Sequence, residues 1–115
     1  MIEITILNYL VKKDIEGIKN NVFVQTPQNP PSEYVLIEKT SGGKDDHINH
    51  AMVAVKSISS KGLVEAMQIN EKVKAAMEEM AETEDIYSCL LNSDYNYTDT
   101  QTKEYRYQAV FNINY

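Results

Sequence analysis

The chain predicts an α+β fold, with a mixed or antiparallel sheet and helices packed on one side, and three observations carry that prediction. The C-terminal segment sets Tyr105, Tyr107, Ala109, Phe111, Ile113 and Tyr115 against Arg106, Gln108, Asn112 and Asn114. That period of two, blurred only at Val110, is the mark of a strand with one buried face. Residues 61–81 instead place Leu63, Ala66, Met67, Ile69, Val73, Ala76, Met77 and Met80 on one stripe at helical spacing. The order helix, strands, long helix, strands groups the strands rather than alternating them with helices, which argues against a doubly wound sheet.

Taken in order, residues 2–13 read as a short helix, with Ile2, Ile6 and Leu10 recurring at helical spacing and Lys12 and Lys13 at its C-terminal end. Gly17 punctuates the stretch after it. Val22-Phe23-Val24 is a short strand stopped by Pro27 and by Pro30-Pro31, where two prolines exclude helix and central strand alike. Tyr34 to Lys39 is a second strand, rich in β-branched and aromatic residues. Thr40 to Asn49 is polar and holds Gly42-Gly43, so a loop or hairpin end is expected there. Ala51 to Ser59 forms a third strand, and Ser60 is the expected N-cap of the long helix. Its three methionines, Met67, Met77 and Met80, share the stripe that must pack on the sheet and are expected in the core. Ile86 to Leu91 is a strand whose continuation through Asp94-Tyr95-Asn96-Tyr97 the pattern leaves open. A polar turn over 98–103 would then join it to the last strand as a long hairpin.

Composition bounds the function. A chain of 115 residues with 43% hydrophobic and 24% charged residues is expected to be one folded domain over 1–115. The formal net charge of −6 leaves no cationic surface for gripping a phosphate backbone, which argues against a nucleic-acid-binding module. The eight tyrosines could stack on bases, but such platforms lie in cationic grooves and Arg106 is the single arginine. They read better as strand residues and as anchors of a protein interface. One cysteine, Cys89, cannot form an internal disulfide and is expected to be buried. No apolar stretch approaches the roughly 18 residues of a membrane span, and Met1-Ile2-Glu3-Ile4 does not resemble an export signal, so no membrane partner is expected.

Catalytic chemistry finds little support. Asp45-Asp46-His47-Ile48-Asn49-His50 puts two histidines and two carboxylates within six residues, but the spacing belongs to no strong metal motif. A solvated loop is the better reading, and a small metal-dependent enzyme built on His47 and His50 is the weaker alternative. Ser41-Gly42-Gly43-Lys44 lacks the first glycine and the hydroxyl residue of a phosphate-binding loop. Both histidines sit in one segment, leaving Ser and Cys elsewhere without a neighbouring base in sequence. No enzyme, metal or cofactor is expected.

Three stretches add a resemblance. Asn29-Pro30-Pro31-Ser32-Glu33-Tyr34-Val35-Leu36-Ile37-Glu38-Lys39-Thr40, then Leu91-Asn92-Ser93-Asp94-Tyr95-Asn96-Tyr97 and Tyr105-Arg106-Tyr107-Gln108-Ala109-Val110-Phe111, resemble the tail terminator, or tail-to-head joining, proteins of long-tailed phages and prophages of Gram-positive bacteria. The likeness spans nearly the whole chain, and its motifs are structural. It implies a subunit made in the host cytoplasm that enters the virion at the head–tail neck. There it would form a ring, typically of six copies, that caps the tail-tube protein and docks it to the head connector or stopper protein. DNA would pass through without specific binding. Another neck component, a head-completion or stopper protein, is the near alternative.

Docking residues would come from two polar segments. The first is Asn92 to Glu104, with Asp94, Tyr95, Asn96, Tyr97, Asp99 and Lys103; the second is 41–50, with Lys44, Asp45, Asp46 and His47. Each is equally readable as an ordinary exposed hairpin end.

Overall fold

In the computed structural model, which describes residues 1–102 and 104–115, helix α1 spans Ile2–Lys12 and buries Ile2, Ile6 and Leu10 along one stripe. The chain then turns through Gly17, whose φ of 98° is a left-handed conformation that only glycine adopts without strain. Strand β1, Val22–Phe23, is just two residues long. Strands β2, Glu33–Asp45, and β3, Ile48–Ser59, form a hairpin far longer than the sequence predicts.

Of the loop and the hairpin end expected for residues 40–49, it is therefore the hairpin end that forms. Strand pairing runs out to Asp45↔Ile48, and the turn is the two residues Asp46 and His47. Their φ values of 46° and 69° are both positive, as a two-residue turn matched to strand twist requires. That position usually carries Asn-Gly, so the Asp-His pair gave no turn signal in the sequence. The β2–β3 ladder also slips once, at a bulge between Lys39 and Ser41.

Helix α2 spans Leu63–Glu78 and tightens into a 3₁₀ turn at Glu79–Glu82, close to the expected range. Ser60 is not its N-cap. Gly62 holds that position with no side-chain cap, and the Ser59 hydroxyl accepts the Lys61 backbone N–H at 3.1 Å instead. Met77 and Met80 are buried as expected, but Met67 is 42% exposed. Its neighbour Ala66 is fully buried, so Met67, one residue further round the helix, lies off the stripe formed by Ala66, Ile69, Val73, Ala76 and Met77. Strand β4 spans Ser88–Asn96 and β5 spans Tyr105–Asn114, antiparallel to each other as expected.

The five strands lie in the order β1-β2-β3-β5-β4, with β1 parallel to β2 and the remaining neighbours antiparallel. Alternation along the strands gives the sheet two distinct faces. Val35 and Ile37 of β2, Val53 and Val55 of β3, and Ala109, Phe111 and Ile113 of β5 form the core with both helices. The α1 and α2 stripes meet above them, where the Tyr9 hydroxyl donates to the Ala76 carbonyl at 2.5 Å. Cys89 lies in this core, and burial pushes its thiol up to about 11, so it is a packing residue. The fold is the expected α+β layer, with a mixed sheet and helices on one side.

Candidate functional site

The helix-free face of the sheet is built by the opposite set of strand residues. Tyr34, Ala54, Ile58 and Val110 are buried there although no helix covers them. Their cover is a layer of long side chains. The Phe23 ring meets Tyr34 edge-on at 6.0 Å. The Tyr97 ring lies against the Lys56 ammonium at 5.6 Å and the Arg106 guanidinium at 5.2 Å, and Tyr95 packs edge-on against it at 6.4 Å. Cation–π contacts of this kind contribute about 0.5–1 kcal/mol each where water remains near.

The first expected docking segment, 92–104, is thereby largely tied down. Asn92 to Asn96 belong to strand β4, not to an arm, so the connection proper is 97–104. Asp94 faces the helices rather than solvent: its carboxylate accepts from Lys74 Nζ at 2.8 Å and from Asn70 Nδ2 at 3.0 Å. The Lys74 ammonium, opposed by partial burial and aided by Asn70, holds the Asp94 carboxyl below the ordinary carboxylate range. Tyr95 accepts from Gln108 Nε2 at 2.6 Å through its hydroxyl. Asn96 caps the start of the connection, its Oδ1 accepting the Thr98 backbone N–H at 2.9 Å.

Asp99 accepts the Gln101 backbone N–H at 3.0 Å and stands 3.6 Å from Arg106. The Gln101 backbone N–H, with smaller help from Thr102 and Arg106, depresses the Asp99 carboxyl. Glu104 accepts from the Tyr34 hydroxyl at 3.1 Å; burial first, and the Glu104 charge second, push that phenol up to about 12. Lys103 lies outside the described residues.

The second segment is different. Lys44, Asp45, Asp46 and His47 are all exposed at the tip of the β2–β3 hairpin. His50, on β3, contacts Asn114 through Nδ1 at 2.5 Å, while His47 occupies the turn. The structure thus sends the two histidines to different roles: one bonds within the sheet, the other sits at the hairpin tip. Among the described residues, no three His, Cys, Asp or Glu side chains gather into a group able to hold a metal ion, and no helix is long and apolar enough to cross a membrane. The surface depressions are shallow, one of them lined by Ser41, Gly42, Gly43, His50 and Asn112 at the base of the hairpin arm.

The edges of the sheet are what sequence reasoning missed. Strand β4 is the outermost strand on one side, and Leu90 and Leu91 on it are 65% and 44% exposed, with Tyr87 just before it. On the other side β1 covers just Val35 and Leu36, so β2 from Glu38 to Asp45 has an uncovered outer edge. Beside that edge Met1, Ile4 and Val24 are exposed. The β4 signal was present in Ile86-Tyr87-Ser88-Cys89-Leu90-Leu91, an apolar run too continuous for a strand with one wet face.

Comparison with known proteins gives a fold likeness. A chain of the virion of a native gene transfer agent (GTA) particle superposes with a TM-score of 0.69, over 92% of this chain and 89% of its own, at 14% sequence identity. At that identity the likeness is one of fold. Neither a protein-family model nor a curated protein sequence matches the chain.

Proposed function

We propose that this protein is a structural subunit of a phage-type virion, and within it the terminator of the tail: a ring that caps the tail tube and joins it to the head connector. The observation that carries the reading is the near full-length fold likeness to a chain of a gene transfer agent virion. A fold shared at low identity does not fix function by itself. Three features of this chain support the same direction. Its two long uncovered sheet edges and exposed Leu90, Leu91 and Tyr87 are surfaces that an assembling subunit buries. Its exposed hairpin arm offers a rigid projection. Its charge of −6 would amount to roughly −36 in a six-membered ring, a field that lets a polyanion pass without adhering.

The test is association of the purified chain, alone and with tail-tube protein, followed by light scattering and negative-stain microscopy. The expected result is a closed ring that seats on tube ends. A strictly monomeric chain under all those conditions would contradict the proposal. Capture by connector protein with no affinity for the tube would instead favour a head-completion or stopper role for the same fold.

A further inference from the structure

We propose that strand β4 of one copy adds to the outer edge of the β2 arm of the next copy, so that the sheet continues head to tail from subunit to subunit. This rests on the assembly reading above and gives it a specific interface.

Strand direction is the first argument. Along the order β2-β3-β5-β4 each neighbour is antiparallel to the last, so β4 runs opposite to β2. A copy placed beside another in nearly the same orientation therefore brings β4 antiparallel to β2, with the helix-bearing faces on the same side. The outer edges of both strands present unpaired main-chain groups that accept this addition. Because the two edges are different surfaces, the contact is heterologous, and a heterologous contact that closes makes a ring.

Charge is the second argument. The register Lys39↔Val53 and Lys44↔Asn49 puts both lysines on the helix-bearing side of the arm. Beside β4 on that same side stand exposed Glu71, Glu78 and Glu82; Lys74 lies among them but is taken up by Glu71 and Asp94, which leaves Glu78 and Glu82 as the outward charges. Head-to-tail pairing sets lysines against glutamates. Pairing of β4 with β4 would set one acidic rim against another.

The third argument is Gly42-Gly43. Both lie in strand β2, and neither has a left-handed φ. A β-carbon at Gly43 would meet nothing within 4 Å, and one at Gly42 would meet chiefly the flexible end of Lys39. Neither backbone conformation nor packing inside the subunit requires glycine there. Strand glycines mark bulges or close approach by another chain; the bulge at Lys39/Ser41 adjoins Gly42, whereas Gly43 lies beyond it and fits close approach. The bulges at Lys39/Ser41 and Leu91/Ser93 divide each edge, leaving Ser41–Asp45 as the regular stretch that receives β4.

The test uses the full chain carrying Gly43→Cys and Leu90→Cys together, residues exposed on the same, helix-free side and within two residues of one level of the sheet, and a short bis-maleimide cross-linker. Native Cys89 is buried and stays unmodified in the folded chain. The expected product is a covalent ladder ending at the closed ring, while each single variant stays monomeric on a denaturing gel. A dimer from Leu90→Cys alone, or assembly seen by light scattering with no ladder, would overturn the edge pairing and leave the assembly reading standing. Absence of any assembly would remove both. Gly43→Val supplies an independent readout: the melting temperature of the monomer holds or rises, whereas association weakens roughly tenfold or more. Unchanged association in that variant would contradict the close approach.

Discussion

The two long hairpins of this molecule have polar ends of similar composition and opposite physical character. The described part of the β4–β5 connection, 97–102 and Glu104, is held in place where Tyr34 bonds to Glu104 and where Arg106 and the backbone of Gln101 meet Asp99. The β2–β3 end is a bare ladder closed by a two-residue turn at positive φ, with Lys44 to His47 exposed. Polar side chains in the first have partners inside the subunit; in the second they face outward. On the proposed assembly reading, the second hairpin and the uncovered sheet edges, with exposed Leu90 and Leu91, are the surfaces left without partners inside the subunit among the described residues.

The contrast can be broken by substitution. The largest effect belongs to the body shared by both hairpins: Phe111, 1% exposed and paired with Val53 and Leu91, anchors β5 between β3 and β4. Phe111→Ala should lower unfolding stability by about 3–5 kcal/mol in a denaturant titration; a loss under about 1 kcal/mol would mean the core is organised elsewhere.

Asp94→Ala comes next. It removes the bonds that pin β4 to α2, leaving Asn70 Nδ2 without its partner and Lys74 with Glu71 alone. An expected loss of about 1–2 kcal/mol at pH 7 reflects the cost of the orphaned Asn70 amide and of the lost half of the Lys74 ion pair. The pH dependence has a definite sign. Because the folded carboxyl is depressed, its stabilisation is complete above the ordinary carboxylate value near about 4 and disappears as pH falls through the lowered folded value. Urea titrations of wild type and variant should therefore converge in strong acid. A difference that persisted unchanged below that range would show that Asp94 acts through packing and not through its charge.

The smallest effect is a gain. His47→Gly relieves a non-glycine residue at φ 69° and should raise stability by about 0.5–1 kcal/mol, visible as a higher melting temperature. A loss instead would show that the His47 ring holds the arm through contacts beyond its own turn.

The same division governs how far these regions were legible in the sequence. Strand β5 and helix α2 declared themselves because burial on one face imposes a period, and the tyrosines and valines kept it. The arm did not, because both of its faces are exposed beyond Ile37: Ser41, Gly42, Gly43 and Lys44 carry no alternation to detect. Its turn was equally silent, since Asp46-His47 adopts a conformation that Asn-Gly would have announced. Asp94 and Asp99 looked like contact residues because charge in a polar stretch usually means solvent. Their partners, Lys74 and Arg106, are distant or unremarkable in sequence and become partners through the register of β4 on β5. Met67 groups with Met77 and Met80 in the sequence, yet it lies to one side of the buried stripe that runs through Ala66, Ile69, Val73 and Met77, which leaves it outside the core.

Hydrogen–deuterium exchange before and after association, read segment by segment, tests the central claim most directly. The account predicts that amides of 41–45 on the arm and 88–96 on β4 exchange fast at the outer edges in the isolated chain and become protected together on assembly. Over the same step exchange at 97–104 should stay as it was. Protection appearing at 97–104 instead, with both edges unchanged, would contradict it.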